Sequence, residues 1–140
     1  MTPSVVRLEI PPGRDHLALV RLVVSGAAAI DRNVPERRLE DLRLAVTEAC
    51  ANAVDATQRA GSGAPVIVSI ELDEGIAVVT VSDHAGGFDP TEVDSLPPAT
   101  DPQRLSHERG LGISLMRSLV DEVTFTRTGE GMDIRLVVHG

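Results

Sequence analysis

Glu48 and Asn52 stand four residues apart in the helix-favouring run Glu48-Ala49-Cys50-Ala51-Asn52-Ala53-Val54-Asp55-Ala56. Residues at that spacing leave a helix on one face. A carboxylate beside an amide oxygen suits phosphate chemistry: the carboxylate takes a proton from an attacking water or hydroxyl, and the amide oxygen holds a hydrated magnesium ion. Alone, the pair is an ordinary feature of an amphipathic helix, where a glutamate is usually a solvated charge. Two further clusters follow it, Asp83-His84-Ala85-Gly86-Gly87-Phe88-Asp89-Pro90 and Arg109-Gly110-Leu111-Gly112-Ile113.

Asp83 ends an apolar run where a turn begins. An aspartate there either caps the turn with its own side chain or accepts the exocyclic amino hydrogen of a buried adenine, a contact that rejects guanine because guanine carries a carbonyl at that place. Gly86 and Gly87 serve both readings, since glycine permits a tight turn and also lets a flat ligand approach the backbone. Gly110 and Gly112 head another amphipathic stretch, so their amides can face phosphate oxygens while the helix dipole favours the negative charge. Arg109 adds a cation at that mouth. A glycine pair before a helix is common, however, and a loop arginine is more often simply solvated. His84 and His107 lack metal-ligand spacing to Cys50 or to a second histidine, which argues against zinc. Cys50 falls roughly opposite Glu48 on the helix and is expected to fill core space.

The elements that must position these residues are legible in the pattern. Ser4 to Ile10 alternates as a strand and stops at Pro11-Pro12-Gly13. A helix is expected from Asp15, with Leu17, Val20, Val24 and Ala27 or Ala28 on one side and Arg21 among them. Pro35 suits the first turn of a long second helix whose stripe is Leu39, Leu42, Val46, Ala49 and Ala53, ending at Gly61-Ser62-Gly63. Val66 to Leu72 and Ile76 to Ser82 form a hairpin about Asp73-Glu74-Gly75. Residues 89 to 109 hold four prolines and predict a lid over the site. A helix from Gly112 to Val120 and strands Val123 to Thr128 and Met132 to Val138 complete the chain. This order predicts one α+β domain over residues 1–140, a two-layer sandwich of a mainly antiparallel mixed sheet with helices on one face.

Thirteen basic against twenty-one acidic residues, a formal charge of −8, disfavour a grip on nucleic-acid phosphates. Two phenylalanines with neither Trp nor Tyr leave little for base stacking. With neither a secretory leader nor a run of about 18 apolar residues, a soluble cytoplasmic protein without a membrane anchor is expected.

Taken together and in order, the three clusters resemble those of the bacterial anti-sigma-factor serine kinases, members of the ATPase superfamily that includes gyrase, Hsp90, histidine kinases and MutL. The resemblance covers roughly residues 4 to 138. It implies a Bergerat-type ATP-binding fold in which Glu48 is the catalytic base, Asn52 holds Mg2+, and Asp83 with Gly87 binds adenine. It further implies that Arg109, Gly110, Leu111 and Gly112 receive the phosphates of ATP. By the same resemblance the partners are a sigma factor and a STAS-type anti-anti-sigma antagonist phosphorylated on serine, in transcriptional control of a stress response. The chain would act as a homodimer, with Arg21 on the partner-binding surface. The alternatives are a non-catalytic ATP-binding module that acts only by protein binding, and an ATP-binding module of a regulator unrelated to sigma factors. Three positions depart from the family pattern. Ala85 replaces a glycine, Asp55 replaces a histidine and brings a second carboxylate toward the phosphates, and Met132 replaces a threonine near the adenine.

Overall fold

Alternation sets the first strand, β1 (Ser4–Ile10), where Val6 and Leu8 are half-buried and Ile10 is buried while Val5, Arg7 and Glu9 face water. The computed structural model describes residues 4–27, 34–84, 108–129 and 131–140, of which 108–111 by backbone alone. A 3-10 turn at Arg14–His16 leads into α1 (Leu17–Ala27), which buries the expected Leu17, Val20, Val24 and Ala27. Helix α2 (Glu36–Arg59) begins one residue later than the proline rule suggested, because Pro35 is its extended N-cap. It stops where Gly61 turns left-handed at φ +67. The Gly61 and Ser62 amides there donate back to Gln58 and Thr57 carbonyls, closing the last turn.

Strands β2 (Val66–Asp73) and β3 (Ile76–Asp83) are joined by Glu74 and Gly75, both at positive φ, the backbone that a two-residue hairpin turn requires. Helix α3 (Glu108–Leu119) starts four residues before the expected Gly112, so Arg109 is helical rather than in a loop. Of the expected lid at 89 to 109, residues 89–107 lie outside the described residues. Strands β4 (Glu122–Arg127) and β5 (Met132–His139) close the chain.

The sheet order is β1-β2-β3-β5-β4, and all four pairings are antiparallel. The sheet is therefore uniformly antiparallel where a mixed component had been allowed for. The helices cover one face, on which Val66, Val68, Ile70 and Leu72 of β2, Ala77, Val79 and Val81 of β3, and Ile134, Leu136 and Val138 of β5 are buried with α2. On the opposite face Arg7, Ser69, Thr80, Arg135 and Thr124 run in register across five strands. A chain of this kind needs few polar ties in its core. Helix α2 supplies Leu42, Val46 and Val54 at 1 % exposure or less, which accounts for its central place.

Arg38 of α2 fixes the far end of α3. Its Nη1 donates to the Leu119 carbonyl at 3.1 Å and to Asp41 at 2.8 Å, and its Nη2 donates to Asp121 at 2.8 Å. Asp121 also accepts the His139 backbone amide at 2.8 Å, joining the start of β4 to the end of β5. That amide first, and Arg38 second, hold the Asp121 carboxyl below its ordinary value of 3.8. A depressed folded-state pKa contributes stability that is whole above the unfolded value and is lost as pH falls through the folded one. Arg38→Ala is therefore expected to cost about 1 to 2 kcal/mol at neutral pH, limited by solvent screening at Asp121. In denaturant titrations the gap between wild type and Asp121→Asn should hold above about pH 5 and narrow below about pH 4. A gap independent of pH would show that the Asp121 charge has no part in the tie.

Candidate functional site

Along α2, Glu48, Asn52 and Asp55 fall within about 60° of one another at 100° per residue, so they form one polar stripe on an amphipathic helix. Glu48 is half-buried and Asn52 is 9 % exposed. The Asn52 Nδ2 is buried and has no hydrogen-bond partner among the described residues. Burying an unsatisfied amide costs on the order of 1 to 3 kcal/mol, which marks Asn52 as something other than a packing choice. Its neighbour explains the arrangement. A Cβ at Gly112 of α3 would stand 3.1 Å from Glu48 Oε2, 3.4 Å from Asn52 Nδ2 and 3.7 Å from Asn52 Oδ1. The second turn of α3 therefore abuts the two polar side chains with only a glycine's width between them, and α2 packs against both α3 and β3. The sequence reading gave Gly112 an amide-donor role at the head of the helix; with α3 starting at Glu108 its amide belongs to the helix ladder, and the role the structure gives it is this steric one. Cys50 is fully buried, and burial pushes its thiol up to about 12, so it fills the core as a neutral group and offers no nucleophile.

The period of two in β3 places Ala77, Val79, Val81 and Asp83 on the helix-covered face, and Asp83 is 5 % exposed. A turn-capping aspartate would be expected on the solvent side, whereas this carboxylate ends a buried apolar row. Asp83 pairs in register with Met132 of β5, itself wholly buried. Gly131, just before Met132, packs directly on the backbone of Asp83 and His84, and a Cβ there would collide with the Asp83 carbonyl. Sequence reasoning assigned Gly131 no role of its own. It lets β5 close against the end of β3, and the glycine immediately preceding a strand was the available signal.

Asp55, the departure that raised the prospect of a bare carboxylate near phosphates, is held by Arg14 from the turn before α1. Arg14 Nη2 lies 2.7 Å from Asp55 Oδ2 and Nε lies 3.2 Å from Oδ1, a bidentate pair across 41 residues. Arg21 is exposed on α1 beside Leu22, which is 70 % exposed, and Leu19 at 45 %. Gly87 and Ala85 lie outside the described residues, as do the side chains of Arg109, Gly110 and Leu111, whose backbone forms the first turn of α3.

Among the described residues, no three of His, Cys, Asp and Glu gather as a metal site. A magnesium ion that arrives on nucleotide phosphates needs only one or two protein oxygens, and the Asn52 Oδ1 can supply one, whereas its Nδ2, without a partner among the described residues, is a donor suited to a phosphate or water oxygen. Glu48, on the same stripe and against the same glycine, carries the carboxylate that can accept a proton.

The profile of the histidine kinase-like ATPase domain matches residues 10–138. A serine-protein kinase RsbW from Bacillus pumilus is 34% identical over 127 residues, covering 87% of this chain and 78% of its own. One from Bacillus subtilis is 30% identical over 122 residues, covering 84% and 75%. One from Staphylococcus epidermidis is 30% identical over 142 residues, covering 99% and 88%. The crystal structure of the RsbU and RsbW domains of a Mycobacterium tuberculosis protein superposes with a TM-score of 0.69 at 15% identity, over 97% of this chain and 32% of that longer one. That likeness concerns the fold.

Proposed function

This chain belongs to the histidine kinase-like ATPase domain family, and on that footing we propose that it is an anti-sigma factor and protein serine kinase. It binds Mg-ATP, sequesters a sigma factor, and phosphorylates a STAS-type anti-anti-sigma antagonist. The observation that carries the reading is the meeting of Glu48, Asn52 and Gly112, in which a buried amide and a carboxylate converge on the N-terminal half of α3 at its second turn. Similarity to the serine-protein kinases RsbW supports the choice of substrate class.

In the proposed mechanism Asp83 accepts the adenine amino hydrogen and orients the nucleotide. Arg109, the free amide of Gly110 and the close-packed backbone at Leu111 and Gly112 receive the phosphates at the N-terminal end of α3, where the helix dipole favours their charge. Asn52 holds the magnesium ion, which when bound neutralises charge on the transferring phosphoryl group. Glu48 takes the serine proton as the serine oxygen bonds to the γ-phosphorus and the bond to the β–γ bridging oxygen breaks, leaving ADP and phosphoserine. The partner surface is the outer side of α1 around Arg21, with a homodimer as the functional unit and the cytoplasm as its compartment. Among the described residues no helix is long and apolar enough to cross a membrane.

The test is incubation of the purified protein with labelled ATP and candidate antagonists encoded beside it, together with binding of sigma factors. Label is expected on a serine of one antagonist. Arg21→Ala should weaken partner binding by about 2 kcal/mol or more if that arginine is central, with ATP affinity and thermal stability unchanged. Binding of partner and nucleotide without transfer of label would leave a non-catalytic regulator. Binding of nucleotide with neither a sigma factor nor an antagonist would leave an ATP-binding module of another regulator.

A further inference from the structure

We infer that Arg14, clamped on Asp55, is a further cation of the nucleotide site and binds the polyphosphate of the bound nucleotide. The inference rests on the nucleotide reading above and adds a residue to it. Asp55 lies one helical turn beyond Asn52 on the same stripe, about 4.5 Å farther along the axis. A carboxylate there, in addition to Glu48, would repel Mg-ATP, which keeps a net negative charge. Arg14 cancels that charge, because its guanidinium is fastened to both Asp55 oxygens, at 2.7 and 3.2 Å.

The clamp is built rather than incidental. Gln58 Nε2 donates to the Pro12 carbonyl at 3.0 Å, so the Pro12–Arg14 segment is tied to the end of α2 at two points. Arg59 Nε donates to the Asp55 carbonyl at 3.3 Å, and Asp55, Gln58 and Arg59 line an open concavity beside the pair. The Arg14 side chain remains 59 % exposed and that of Asp55 32 %. An ion pair so open to water adds little stability, whereas an arginine held in a fixed orientation is well suited to an oxyanion ligand. Charge at this turn is thus supplied from the β1–α1 connection, by a residue 41 positions away from the helix position it serves.

Calorimetry of the purified protein with Mg-ATP and with adenosine tests the assignment. Arg14→Ala is expected to weaken Mg-ATP binding by roughly tenfold or more, as loss of a charged phosphate contact does, and to leave adenosine binding unchanged. Arg14→Gln, which keeps the stem, should show the same triphosphate-selective loss and serves should the alanine variant fail to fold. In Arg14→Ala with Asp55→Asn, part of the loss should return, because the exposed carboxylate has gone. Wild-type affinity for Mg-ATP in Arg14→Gln, or equal losses for Mg-ATP and adenosine, would overturn the inference while leaving the nucleotide site intact. A wild type that binds neither ligand would overturn the nucleotide reading, and the inference with it.

Discussion

Glu48→Gln is expected to slow phosphoryl transfer to the serine antagonist by roughly 10²- to 10⁴-fold, the usual worth of a positioned general base, while Mg-ATP binding survives. The substitution is chosen for shape. Glu48 Oε2 lies against Gly112 with only a glycine's width between them, and glutamine fills the same space without opening a cavity. What it lacks is a basic oxygen to take the serine proton. The effect should therefore fall on the chemical step, and single-turnover transfer of label from saturating ATP isolates that step from product release. Glu48→Ala is a poorer probe, since it removes volume beside Asn52 and α3 as well as the carboxylate. A Gln variant that transfers phosphate at the wild-type rate would return Glu48 to the role of a half-buried surface carboxylate. A variant that loses nucleotide binding along with transfer would assign Glu48 to the hydrated metal rather than to the proton.

The features legible in the sequence were those written in local periodicity. The period of two in β3 already placed Asp83 on the face of Val79 and Val81, and the i, i+4 spacing already aligned Glu48 with Asn52, so both survive as buried or half-buried polar groups in the fold. The Glu74-Gly75 turn and the apolar stripe of α2 followed the same logic. Long-range contacts were not legible. Arg14 and Asp55 are both ordinary surface charges until the chain folds, and nothing in either one's neighbourhood announces the other. Gly131 reads as a turn glycine, and only the register of β3 with β5 shows that a side chain there would strike the Asp83 backbone. Arg38 likewise reaches across 81 and 83 residues to Leu119 and Asp121. The start of α3 was placed late because two glycines lower local helix propensity, although packing against α2 carries the helix through them.

Asp83→Asn is expected to weaken ATP binding by about 1.5 to 3 kcal/mol, the worth of a hydrogen bond to a charged group, which is roughly a 10- to 150-fold rise in Kd. The position makes the effect specific. Asp83 is 5 % exposed at the end of a buried row, faces wholly buried Met132 across the strands, and has Gly131 packed behind it, so an isosteric amide meets the same walls. Asparagine retains an acceptor oxygen but loses the charge, and it brings two donors that can satisfy a carbonyl. Discrimination between adenine and guanine should therefore fall more than affinity for the triphosphate itself. Folding is read in parallel, because Asp83 is itself held within the fold and the amide must keep that contact. Competitive calorimetry with ATP, GTP and adenosine at fixed magnesium, beside a thermal melt, reads all three quantities. Equal wild-type affinity for ATP and GTP would remove Asp83 from base recognition. Loss of stability in the variant with unchanged nucleotide selectivity would make the carboxylate a structural group at the strand end.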